Sequence, residues 1–100
     1  MDWESHYKKL EQMYLSAPLQ AYYEGTEISI SKDSTTVSMD VRKEFFHAAQ
    51  AMHGAVYFRM LDDAAYFAVS SEITDVFILT SSFNIQLYRP VNKGKLKAEF

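Results

Sequence analysis

The chain opens on an amphipathic segment. Over residues 2–16, Trp3, Tyr7, Leu10, Met13, Tyr14 and Leu15 recur at three- and four-residue steps, and Glu4, Lys8, Lys9, Glu11 and Gln12 fill the other side. That period predicts a helix with one apolar face, and Pro18 ends it. The period then shortens to two. Ile28 and Ile30 alternate with serines, and Val37, Met39 and Val41 alternate with Thr36, Ser38 and Asp40. Two strands are predicted, each with one face toward a core. Lys32-Asp33-Ser34 suits a hairpin turn between them.

Residues 44–52 follow neither period and read as a loop or a short helical turn. From about Gly54 to about Ser71 the chain is apolar nearly all round, with Ala55, Val56, Phe58, Met60, Leu61, Ala64, Ala65, Phe67, Ala68 and Val69. Such a helix is expected to be buried. Its alanines at 64, 65 and 68 would let another backbone approach closely. Alternation returns over residues 76–88, which predicts a long strand. Residues 89–94 read as a turn, and Lys95–Phe100 starts another strand. The order of elements implies an α+β fold, with an antiparallel sheet wrapped around one central helix.

Composition narrows the function classes. With 100 residues the chain is expected to be a single domain spanning 1–100, and 48% hydrophobic residues can support a packed core. A domain this small buries a modest share of its surface, so oligomerisation would help it. The net charge is −3 and there is no basic block, so no nucleic-acid partner is expected. Cysteine is absent, which excludes disulfides and thiolate metal sites. The N-terminus lacks a basic start and apolar run, and no apolar stretch could span a bilayer. The expectation is a soluble cytoplasmic protein without membrane partners.

Candidate chemistry concentrates on the central helix. Asp62 and Asp63 lie among apolar residues, where a charge is costly unless paired or hydrogen-bonded. Adjacent positions differ by about 100° around a helix, so the two cannot share one environment. Arg59 is within reach of Asp63 at i+4, which leaves the other carboxylate for the interior or an interface. Ordinary polar edge residues are an equal reading of the pattern. Gly54 stands at the helix start, where free N–H groups and the positive end of the dipole suit a developing oxyanion. A glycine that merely eases the loop into the helix fits equally well.

Distance sharpens the choice. Gly54 and Asp62 are eight residues apart, or about 12 Å along a helix. One reacting carbonyl must lie within about 3 Å of both donor and attacking group. A single helix cannot arrange that, whereas two antiparallel copies can. A site built from these residues therefore crosses a dimer interface. His6, His47 and His53 do not make a zinc pattern, the isolated glycines make no phosphate loop, and the serines lack nucleophile-elbow spacing. No metal is expected. Tyr57, Phe58, Tyr66 and Phe67 suit either an acyl pocket or plain core.

The segment His53-Gly54-Ala55, with Asp62 nine residues after the histidine and Ala64-Ala65 beyond, resembles the His-Gly-Gly…Asp signature of hotdog-fold acyl-CoA thioesterases of the phenylacetate-degradation branch. The stretch from Thr80 to Pro90 resembles that family's post-helix strand. The resemblance covers roughly residues 18–99. It implies a hotdog fold preceded by the N-terminal helix. The family's sheet continues past the point where this chain stops, so a hotdog domain cut short at its C-terminal side is expected.

The resemblance also implies roles. Asp62 would be the catalytic carboxylate, as general base or nucleophile. The Gly54 N–H would polarise the thioester carbonyl. His47 stands where relatives often carry an asparagine that orients substrate or water, and Thr80 matches a hydroxyl near the carboxylate. His47 and Gly54 would come from one protomer, Asp62 and Thr80 from the other. His53, Ala55 and Ser82 would border the substrate, with Ala55 replacing the second glycine and narrowing the space. The implied reaction is hydrolysis of an acyl-CoA thioester by a homodimer or homotetramer, with no cofactor beyond the coenzyme A of the substrate. The alternative is a non-catalytic hotdog module that binds acyl-CoA or serves in oligomerisation. A hotdog hydratase fits less well, because its His/Asp arrangement is not visible.

Overall fold

The computed structural model describes residues 2–73, 78–80, 82, 84–86 and 89–100. Helix α1, Trp3–Leu15, starts at Asp2, whose side chain accepts from the Ser5 N–H at 3.2 Å and the Ser5 hydroxyl at 2.7 Å. Such a cap satisfies donors that the first helical turn leaves unpaired. Only Tyr7, Leu10 and Tyr14 are buried. The apolar face is narrower than the sequence period suggests, because Trp3, Met13 and Leu15 stay exposed. Pro18–Tyr22 forms a 3-10 turn, with proline at its first position.

The hairpin forms as expected. Strand β1, Glu27–Ile30, pairs antiparallel with β2, Thr35–Asp40, placing Ile28 opposite Val37 and Ile30 opposite Thr35. Ser31 N–H donates to the Ser34 carbonyl at 2.9 Å across the turn. Strand β3, Lys95–Glu99, pairs antiparallel with the other edge of β2, with Ala98 opposite Val37 and Leu96 opposite Met39. The sheet order is β1-β2-β3. The register puts Ile28, Ile30, Thr35, Val37, Met39, Leu96 and Ala98 on one face, as the period of two requires.

Helix α2, Gly54–Ser70, packs on that face through Val56, Met60, Ala64 and Phe67, at steps of four, four and three. Val37 and Met39 beneath it are essentially inaccessible. Each such side chain contributes about 1.5–3 kcal/mol by burial, against about 1 kcal/mol for one helix cap. The α2–sheet contact therefore dominates the fold, and α1 closes the β1 side of the same core. The Glu11 carboxylate accepts the Ile30 N–H at 2.8 Å. It thereby satisfies a donor on β1, an edge strand that would otherwise invite pairing.

Two expectations need correction. The central helix is not buried all round. Val56, Met60, Ala64 and Phe67 face the sheet, but Phe58, Leu61 and Val69 remain exposed, because the three strands among the described residues cover one side of the helix. The long strand expected over 76–88 falls partly outside the described residues. The described ones, 78–80, 82 and 84–86, belong to no strand.

Candidate active site

The N-terminus of α2 is shaped by the loop before it. Phe46 bridges Met52, and flanking bonds run from His47 N–H to the Ala51 carbonyl and from His53 N–H to the Phe45 carbonyl. Gln50 completes the loop at φ 66°, in the left-handed region that non-glycine residues rarely adopt. His53 caps the helix with backbone at φ −65° and ψ 141°, its Nδ1 accepting from the Ala55 N–H at 2.9 Å. His47 does the same one loop earlier, its Nδ1 accepting from the Ala49 N–H at 3.0 Å. Both rings thus carry local turn structure, and in each the Nε2 atom is left to donate outward. The Ala55 N–H is engaged by His53. The Gly54 N–H meets no acceptor among the described residues. Of the expected donors at this end, Gly54 is the one available to a ligand.

Two turns further along α2, Asp62 and Asp63 diverge as the helical rotation demands. Thr80 Oγ1 donates to Asp62 Oδ1 at 2.8 Å. The structure therefore brings together two of the expected site residues from segments eighteen positions apart. Asp62 and Thr80 line a cavity of about 520 Å³, walled on the N-terminal side by Met13, Ala17 and Leu19, and elsewhere by Tyr66 and Leu79. Ser82 is exposed and does not line this cavity. His47, His53, Gly54 and Ala55 are not part of it either. Along one chain the donor and the carboxylate stay apart, as their spacing on a single helix requires.

Asp63 turns toward α1. Tyr14 hydroxyl donates to its Oδ2 at 2.7 Å, and Arg59 Nε lies 3.6 Å from the same oxygen, an ion-pair distance longer than a hydrogen bond. Burial holds the Asp63 carboxyl above its usual value of 3.8, partly offset by the Tyr14 hydrogen bond and the Arg59 charge. Burial chiefly, then the Asp63 carboxylate, pushes the Tyr14 phenol well above its usual value. Arg59 is itself buried. It donates to Gln20 Oε1 at 2.7 Å and to Thr26 Oγ1 at 3.2 Å, and it stacks over the Tyr23 ring at 4.0 Å. Sequence spacing identifies the Arg59–Asp63 pair. It gives no sign of Tyr14, Gln20, Tyr23 and Thr26, which come from distant segments.

The four aromatic residues of α2 separate by environment. Phe67 is buried in the core, Tyr66 packs against it half-buried, both border the Asp62 cavity, and Phe58 is exposed. Tyr57 borders a second cavity of about 300 Å³ against Leu96 and Ala98. Among the described residues no cluster of histidine and carboxylate side chains could hold a metal ion, and no helix is long and apolar enough to cross a membrane.

Comparison with known proteins fits this architecture. A model of the thioesterase superfamily matches residues 49–99, the stretch that contains both Gly54 and Asp62. The fold resembles the Escherichia coli PaaI protein from the phenylacetic acid degradation operon. The TM-score is 0.80 at 22% identity, over 96% of this chain and 69% of that one. It also resembles a putative thioesterase, a phenylacetic acid degradation-related protein, from Ralstonia eutropha, with TM-score 0.76 at 19% identity over 94% of this chain and 74% of that one. A thioesterase from Haemophilus influenzae gives TM-score 0.76 at 21% identity, over 93% of this chain and 65% of that one. No curated protein sequence matches the chain. At these identities the structural likeness speaks for the fold, which is the hotdog arrangement implied by the sequence.

Proposed function

The chain belongs to the thioesterase superfamily, and we propose that it hydrolyses an acyl-CoA thioester, releasing the free acid and coenzyme A. The observation that carries this reading is the Asp62 carboxylate, held by Thr80 and open to a cavity on the same helix that begins with an unengaged Gly54 N–H. The Gly54 N–H donates to the thioester oxygen as it becomes negative, in a position where the helix dipole adds to the attraction. Asp62 takes a proton from water as the water oxygen attacks the carbonyl carbon. The carbon–sulfur bond then breaks, and the proton passes to the departing thiolate. In the nucleophilic version Asp62 attacks first, and water resolves the resulting anhydride. Where water opens that anhydride at the Asp62 carbonyl carbon, expelling the acid, single turnover in ¹⁸O water leaves label in the Asp62 carboxylate, which the general-base route never does.

One helix cannot serve one substrate with both groups, so the site is shared in a dimer. Ala55, Phe58, Asp62, Ala65 and Val69 fall on one stripe of α2, facing away from the sheet. Phe58 lies midway between Gly54 and Asp62. A twofold axis near Phe58 would set Gly54 of one protomer against Asp62 of the partner subunit, covering the exposed stripe as it does so. His47 sits on the loop beside the Gly54 end, with its Nε2 free to orient the incoming thioester.

The test is thiol release from a panel of acyl-CoAs. Asp62→Asn should lose at least about a hundredfold in kcat while keeping its circular dichroism spectrum. Unchanged turnover would rule out Asp62 as the catalytic group. Sharing is tested by co-refolding equal amounts of Asp62→Asn and Gly54→Pro. Half of the dimers are then hybrids with one intact site, so about a quarter of the parental activity should return. No recovery places both groups within one protomer.

A further inference from the structure

The cavity over Asp62 has a wall that the hydrolytic step does not use. Met13 is 40%, Leu19 54% and Leu79 93% exposed, and all three line the same cavity as Asp62. Apolar side chains gathered around a polar reacting group, in a cavity of this size, are the usual make-up of a ligand pocket. The N-terminal wall is also firmly attached. Tyr14 is bonded to Asp63, the residue next to Asp62. Gln20 donates to the Tyr14 carbonyl at 3.1 Å and accepts from Arg59 at 2.7 Å. Residues 13 and 19 therefore lie beside two anchor points on α2 and hold a set position relative to Asp62. A rigidly supported wall can discriminate between ligands, whereas a loose one adapts to them. Residues 13–20 lie outside the stretch 49–99 that the superfamily model matches.

Charge narrows the occupant. Among the described residues the cavity is lined by Asp62 and Asp63 and by no lysine or arginine, and Arg59 behind it is already engaged by Asp63 and Gln20. A second carboxylate on the acyl group would meet repulsion there without a cation to receive it. We propose that residues 13–20 form the acyl-binding wall and select an apolar, uncharged acyl group over an acetyl or ω-carboxyl one. The proposal rests on the thioesterase reading and gives it a substrate class.

Two measurements test it. The chain holds five methionines, and ¹³C-methyl labelling with Met13→Leu as the assignment control makes Met13 a reporter of the wall. In the Asp62→Asn protein, octanoyl-CoA should move the Met13 methyl resonance and acetyl-CoA should leave it in place. In the otherwise unaltered protein, kcat/KM should favour octanoyl-CoA over acetyl- and succinyl-CoA, and Leu19→Ala should lower the octanoyl-to-acetyl ratio about tenfold. A fixed Met13 resonance with a ratio indifferent to Leu19 overturns the assignment and leaves the patch to a second copy of the chain. Movement of Met13 without hydrolysis of any thioester would instead retain the wall and remove the catalytic reading.

Discussion

Arg59 makes the sharpest stability prediction, because it joins three segments through one buried charge. Arg59→Met keeps much of the volume and removes the guanidinium. Lost with it are hydrogen bonds to Gln20 at 2.7 Å and Thr26 at 3.2 Å, and the stacking on Tyr23 at 4.0 Å. Charged hydrogen bonds contribute about 1.5–3 kcal/mol each, and a desolvated cation–π contact about 2 kcal/mol. Methionine recovers part of this through packing. The expected loss is about 3–5 kcal/mol, the range for breaking a buried ion pair. That is a large share of the roughly 5–15 kcal/mol available to a small domain. Asp63 enters through a weaker link, since the Arg59 Nε stands 3.6 Å away and Asp63 keeps its Tyr14 hydrogen bond. The coupling between Arg59→Met and Asp63→Asn should therefore be only about 1 kcal/mol. Urea unfolding followed by far-ultraviolet circular dichroism, at fixed protein concentration, measures both. With a slope near 1–1.5 kcal/mol per molar, the midpoint of Arg59→Met should fall by about 2–5 M. A loss under about 1 kcal/mol would refute the view that this network holds the N-terminal segment to α2.

Other outcomes follow from single features of the site. Gly54→Pro deletes one N–H at a helical position that tolerates proline, after a residue whose extended backbone at ψ 141° already suits it. It should fold normally and lose about 10²–10³ in kcat, as measured by thiol release. His53→Ala frees the Ala55 N–H and should lower the urea-derived stability by about 1 kcal/mol. The Asp63 carboxyl is raised above 3.8, so between the two values the folded chain binds more protons than the unfolded one. Stability should therefore fall as pH rises through that window, and the advantage of the parent over Asp63→Asn should shrink with it, which a series of urea midpoints would show. Tyr14 has the same sign at alkaline pH. Its phenol is raised above 10.0, so stability should fall as pH rises beyond that value, and Tyr14→Phe should remove this dependence.

Much of this protein is legible in its sequence. The extent of α1, the hairpin of β1 and β2, and the extent of α2 each depend on residues close together in the chain. There, period and turn chemistry act almost alone. The His53-Gly54 step and the Asp62 position are legible for the same reason, since both are set by spacing along one helix. So is the separation of Gly54 from Asp62, about 12 Å along the helical rise, on which the proposal of a shared site rests.

Tertiary packing decides what local pattern leaves open. It selects which face of α2 is buried. Phe58, Leu61 and Val69 are as apolar as Val56 and Met60, but the three-stranded sheet among the described residues covers one side of the helix. It separates Asp62 from Asp63, giving one a threonine and an open cavity, the other a tyrosine and a buried arginine. It also turns the N-terminal segment, which reads as a plain amphipathic helix, into a wall beside the candidate site. Local periodicity specifies which residues can share a face. Only the distant segments that pack against that face determine whether it becomes core, interface or binding surface.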